Sequence, residues 1–268
     1  MKIALCFSGQ VRDFRLTRRS LQRKILSRLR KHEVYLFAHY PLSGGISPAC
    51  LGIPFTEVLV EDESKVEAPV PIHATHGVIL RSWHQGNPFR AFYLQLRSLY
   101  LANWLRQQFE ERNGFLFDWV FRLRFDSLFF GEQLESLEDC DPGSIYIPKH
   151  DNHYGYNDRF AFGGSQLMDT YSTRFTLFRE YEEHGYAMHP EVFLKWALDR
   201  NSIRVERTGI ACHLLRYGNL YRAYYSEKSG DILTKPRSFF GMLDKRLQVT
   251  RFAPFVSRMY LGKVHLLG

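Results

Sequence analysis

Ten residues near the middle of the chain, FDWVFRLRFD at 117–126, constrain the fold more than any other stretch. Phe117, Trp119, Phe121, Leu123 and Phe125 alternate with Asp118, Val120, Arg122, Arg124 and Asp126, which is the two-residue period of a β-strand. Bulky apolar groups at every second position need a covered face, so this strand belongs in a sheet packed against another layer. Charged groups ending so apolar a strand are costly unless they meet a ligand or one another. A chain of 268 residues, 45% of them apolar, is long enough to build the core this demands. Those proportions exclude disordered and fibrous classes.

The rest of the chain alternates strand and helix signals. KIALCF at 2–7 reads as a buried strand that stops at Ser8-Gly9-Gln10. A helix is expected over 14–31, with Leu21, Ile25 and Leu29 four apart on one face. Strands follow at 34–40 and 57–60, and 61–88 is expected to be irregular, holding His73, His76, Trp83 and His84. A long helix over 89–112 carries Phe92, Leu96 and Leu99 on one face and is stopped by Asn113-Gly114. Further strands are expected at 144–147, 158–163 and 203–207, and helices at 166–184 and 190–199. The β-α-β-α-β opening predicts an α/β domain around a largely parallel sheet.

Charge narrows the partners. The formal net charge of +8 favours anionic ligands: nucleotides, polyphosphates, acidic lipids or nucleic acid. No apolar run reaches the roughly 20 residues that cross a bilayer, and the N-terminus lacks the pattern of a secretory signal. Cys6, Cys50, Cys140 and Cys212 are widely spaced, as expected of reduced thiols in a cytoplasmic protein. The helix at 14–31 carries Arg18, Arg19, Arg23, Lys24, Arg28, Arg30 and Lys31, so its outer face is either simply solvated or rests on anionic lipid headgroups.

Five constellations could carry chemistry. Ser8, Gly9, Gln10 and Arg12 close the first strand, where ligands of open α/β sheets bind, and a small turn there lets backbone N–H groups and an arginine fork approach a phosphate. It is neither a dinucleotide fingerprint nor a P-loop, and a plain strand-to-helix turn is the alternative. Arg122, Arg124 and Asp126 end the apolar strand. There one carboxylate could hold a divalent ion through oxygen while the arginines neutralise a diphosphate; the alternative is an ion pair at the sheet edge. HDNHYGYNDRFAFGG at 150–164 offers Tyr154, Tyr156, Asn157 and Asp158 to a sugar, or is an ordered loop. Glu191 follows Pro190 at a helix start, as a general base or as a charge suited to the helix dipole. His213 is structural or completes a metal shell.

In order and spacing, SGQVR, LFAHY, FDWVFRLRFDSLFF, IYIP, YGYNDRFAFGG and the PE-led helix resemble a group of small bacterial and viral glycosyltransferases of the GT-A fold, over about residues 1–215. The resemblance implies a Rossmann-like, mostly parallel sheet flanked by helices. It divides the single domain into a nucleotide-sugar half (about 1–130), an acceptor half (about 131–215) and an extension (216–268). Where that fold carries DxD, this chain has Arg124-Phe125-Asp126, an RxD variant. The resemblance further implies Mn2+ or Mg2+ on Asp126 with His213, and a base at Glu191, with Asp158 as competitor. The implied reaction moves a sugar from a nucleotide-diphosphate sugar to a glycan or lipid-linked glycan acceptor, in polysaccharide synthesis. The cytoplasmic protein would then make at most a peripheral membrane contact and bind no nucleic acid. The alternatives are a sugar-phosphate nucleotidyltransferase and a basic nucleic-acid-binding protein.

Overall fold

Lys2–Ser8 forms β1, apolar on both sides, and such a strand is stable only inside a sheet covered on both faces. The computed structural model describes residues 1–11, 14–42, 52–72, 88–186 and 188–215. Arg12, Cys50, the aromatic and histidine residues of 73–87 and the segment 216–268 therefore lie outside the described residues. β1 pairs in parallel with β2 (Glu33–Pro41), and β2 with β3 (Glu57–Glu61). On its other side β1 pairs in parallel with β4 (Trp119–Arg124). Beyond β4 come β7 (Ala161–Gly163), β6 (Ser144–Pro148) and β8 (Arg204–Thr208), so the order is β3-β2-β1-β4-β7-β6-β8. Only β7 runs against the others among these seven strands. β5 (Ser127–Gly131) and β9 (Ile210–Leu214) make a separate antiparallel pair.

The alternation of β4 sorts its neighbours into layers. Trp119, Phe121, Leu123 and Phe125 pack with Ile3, Leu5 and Phe7 against α1 (Phe14–Lys24), β5 and β9. Val120, with Ala4 and Cys6, faces α2 (Pro88–Asn113), α3 (Ser165–Thr173) and α5 (Pro190–Arg200). The molecule is thus α/β, a mostly parallel mixed sheet flanked by helices, compatible with a Rossmann-like arrangement. A network centred on the fully buried Arg106 fastens α2 to α3: Arg106 bonds Glu110 at 2.6 Å, Ser165 Oγ at 2.5 Å, and Asp169. No described helix is long and apolar enough to cross a membrane.

Three of the expected elements take other bounds than the sequence suggests. The first helix stops at Lys24. Past Ile25, which still donates to the Leu21 carbonyl at 2.9 Å, the chain tightens into a 3-10 turn, Leu26–Arg28, and Leu29 just beyond it is buried. The helix expected over 166–184 is broken into α3, a 3-10 turn at Arg174–Leu177, and α4 (Phe178–Glu183). There Thr173 and Thr176 hydroxyls donate back to the carbonyls of Asp169 and Thr173, which competes with the helical ladder. The strand expected from residue 158 begins only at Ala161, because side chains hold 157–160 in a loop.

Candidate functional site

The chain moves outward from β1 to β2 and β3, then returns to the other side of β1 for β4. The connections leave β1 and β4 in opposite directions, and the crevice beyond their carboxyl ends is where open α/β sheets bind ligands. The predicted turn and the predicted charged strand end meet there: Ser8 lies opposite Arg124 in the register of β1 and β4. Gly9 has φ +95°, a backbone angle that favours glycine, and a Cβ built on it meets nothing within 4 Å among the described residues. Gln10 is half-buried beside it.

Phe125 anchors the strand end from beneath, its ring 5.3 Å from Phe7 and 5.4 Å from Phe14. Thr17 donates to the Phe125 carbonyl at 2.6 Å, and Leu215 N–H donates to the Asp126 carbonyl at 2.7 Å. With the backbone pinned and Phe125 facing α1, alternation turns Arg124 to the α2 side. Arg124 grips the buried Asp126 bidentately, Nε to Oδ1 at 2.8 Å and Nη2 to Oδ2 at 2.9 Å. Burial pulls the Arg124 guanidinium down, and the Asp126 carboxylate more than reverses this and holds it above its ordinary value. Arg122, 1% exposed, donates to the Arg159 carbonyl at 2.6 Å and leaves Nε without a partner. Burial lowers its pKa, with Tyr171 partly opposing.

These residues do not fit a divalent ion. Both oxygens of Asp126 already accept from Arg124, and His213 sits on β9 opposite Leu128 with Nδ1 3.8 Å from Asp151. Among the described residues no group of three or more His, Cys, Asp or Glu is placed to ligate a metal. The Asp126 carboxylate rests on the Arg124 guanidinium.

Two buried carboxylates, Asp158 and Glu191, lie later in the chain. Asp158 accepts from Gln95 Nε2 of α2 at 2.5 Å. Glu191, in the first turn of α5, has Oε2 2.9 Å from His189 Nδ1. Burial raises the Glu191 pKa; the His189 contact opposes this, and the charge of Asp158 adds to it. The loop before them ties itself to α5: Tyr156 N–H donates to the Glu191 carbonyl at 3.0 Å. Tyr154 is fully exposed at φ +68°. Tyr156 packs between Arg207 and Lys195, 4.9 and 5.2 Å from its ring centre. Asn157 spends its amide within the loop, donating to the His150 carbonyl at 2.9 Å and accepting from Arg159 N–H at 2.9 Å. Of the three expected sugar contacts, Asn157 is thus a loop clamp and Tyr156 is already stacked on cations.

Sequence reading passed over the device that shapes the turn. Ser98 Oγ of α2 accepts from Gly9 N–H at 2.8 Å and lies 2.8 Å from His39 Nδ1. His39 Nε2 lies 3.6 Å from Glu61, which also pairs with Arg97. Burial, with the Arg97 charge, lowers the His39 pKa to about 4, so the ring is neutral at pH 7. A Ser–His–acid series is suited to nucleophilic attack only if the serine is reachable. Ser98 is 2% exposed and its oxygen already holds Gly9, so the series fixes the turn. The available signal was the polar pair Gln95 and Ser98, one turn apart on a helix face that otherwise packs on the sheet. Cys6 and Cys212 are buried thiols pushed up to about 12, hence inert. A comparison with curated proteins finds no match. A family described as a domain of unknown function (DUF7796) matches residues 1–216, and the chain belongs to that family.

Proposed function

We propose that this protein is a glycosyltransferase of the GT-A type that moves a sugar from a nucleotide-diphosphate sugar to a hydroxyl acceptor. One arrangement carries the reading: Ser8 lies opposite the Arg124–Asp126 clamp where β1 and β4 end at the sheet's switch point, and the buried Asp158 acts by its charge on both Arg124 and Glu191. The difficult part of such a transfer is the charge that gathers on the departing nucleotide diphosphate. Arg124 gives two of its five N–H groups to Asp126 and keeps three for phosphate oxygens, held in one orientation before the reaction starts. In a single displacement Glu191 takes the acceptor proton as its oxygen bonds the anomeric carbon. The bond from that carbon to the diphosphate breaks, with its electron pair leaving on phosphate. A carboxylate whose pKa is raised is the better base near neutral pH. The acceptor would be a glycan, free or lipid-linked.

Titration with UDP, GDP and dTDP, alongside a short oligonucleotide, tests the reading together with acceptor-free hydrolysis of the corresponding nucleotide sugars. Saturable binding of one diphosphate and slow hydrolysis of its sugar conjugate are expected. Binding of the oligonucleotide alone would overturn the reading, as would pyrophosphate release from a nucleoside triphosphate and a sugar 1-phosphate.

A further inference from the structure

The outer face of α1 is a stripe of arginines that nothing in the described residues neutralises. Arg15, Arg18, Arg19 and Arg23 are all exposed, and their spacing places them along one side of the helix. The sequence FRLTRRSLQRK contains no acidic residue. None of the four makes an ion pair among the described residues, whereas Arg112, Arg179, Lys195 and Arg200 on the other helices pair with Glu57, Glu182, Asp199 and Glu180. Two other basic residues expected to share this face are already engaged: Lys24 donates to the Gly131 carbonyl at 2.6 Å and Lys31 meets Glu138 at 2.7 Å.

This arrangement works against the helix that carries it. Arg15 with Arg19, and Arg19 with Arg23, are like charges four residues apart, which weakens a helix. Arg15 also stands in the first turn, at the positive end of the helix dipole. A merely solvated face gains from mixed signs, so an unmixed stripe points to an external anion. We infer that this face of α1 docks on an anionic membrane surface by charge alone, a partner beyond the sugar-transfer reading and independent of it.

The other side of α1 decides how it binds. Phe14, Thr17 and Leu21 are buried, and Thr17 is bonded to the Phe125 carbonyl, so the helix cannot roll its apolar side into lipid. No exposed large apolar residue lies on α1 to insert from the outer face. The stripe spans about 12 Å along a convex helix. Mobile headgroups can gather beneath it, whereas stacked bases would want an aromatic platform that α1 does not offer.

Sedimentation with phosphatidylcholine vesicles, with and without phosphatidylglycerol, at low and high salt, tests this on the full chain. The intact protein should sediment with the anionic vesicles at low salt, stay free of the neutral ones, and be released at high salt. Each arginine near such a surface is worth about a fivefold gain in partitioning, so the quadruple variant Arg15→Gln/Arg18→Gln/Arg19→Gln/Arg23→Gln should bind two to three orders of magnitude more weakly. Its melting temperature should be equal or higher, since repulsion is relieved, and Arg112→Gln should bind as the parent does. No sedimentation at low salt overturns the proposal. So does a quadruple variant that still binds, or one that loses affinity for an oligonucleotide instead of for vesicles. None of these readouts involves sugar transfer, so failure here leaves the catalytic reading standing, and the reverse holds too.

Discussion

Arg124 and Asp126 form the pair on which the site turns, and each is 11% exposed or less at its side chain. Removing one partner of a buried pair costs roughly 3–5 kcal/mol, because the other charge is left uncompensated. Asp126→Asn should therefore lower stability as well as turnover, and EDTA should leave the parent's turnover unchanged. Replacing both partners with apolar residues should restore much of the stability and none of the activity; a double variant that still turns over would remove the pair from the chemistry. Glu191→Gln should depress kcat far more than donor affinity, since a base acts only on the way to the transition state. Normal turnover there, together with a dead Asp158→Asn, would exchange their roles. The charged strand end was legible because charges on an apolar strand are anomalous in the sequence itself. Ser98 and Gln95 were not, since their partners Gly9 and Asp158 lie 89 and 63 residues away and only folding brings them together. For Asn157 the sequence shows a polar side chain but not that its amide is bonded within its own loop.

Elements with strong local signals emerged where expected. α2 ends where Asn113-Gly114 predicts, with Gly114 at φ +68° and its N–H donating to the Glu110 carbonyl at 2.9 Å. β9 was not anticipated, because IACHL is short and its pairing partner β5 lies some eighty residues earlier in the chain. Nor did the sequence reveal how tightly loop and helix meet at Gly155. A Cβ there would fall 1.9 Å from the Glu191 carbonyl oxygen and 2.5 Å from Val192 N, both backbone atoms that cannot swing aside. Gly155→Ala must push the loop away from the first turn of α5. Overpacking of this kind costs about 1–3 kcal/mol, and the displaced turn is the one that aims Glu191. The expected result is a modest fall in melting temperature with a disproportionate loss of kcat and nearly unchanged nucleotide binding. Parent-like kcat in Gly155→Ala would mean that the seating of α5 does not set the position of Glu191.

Acid stability belongs to the whole molecule, because groups scattered through it titrate together. Burial lowers the pKa of His39 to about 4 and also lowers those of His32 and His150. A histidine depressed in the folded state binds its proton more readily when unfolded, so its contribution is complete above about pH 6.5 and is lost as pH falls through the folded value. Glu191 acts in the opposite sense: its raised pKa means stability declines as pH rises from the ordinary carboxylate range through its folded value. His39 should dominate, since a shift of this size is worth of the order of 3 kcal/mol for a side chain 2% exposed. Its protonation also strikes the crevice directly, because the same ring contacts the Ser98 hydroxyl that holds Gly9. Denaturant midpoints measured from pH 4 to pH 8 should rise across pH 4–6.5 and then level. His39→Asn should start lower and show a flatter rise, so the slopes decide and the absolute stabilities do not. A parent protein with no rise in that interval, or a variant whose slope matches it, would shift the acid sensitivity away from His39 and on to the remaining buried groups.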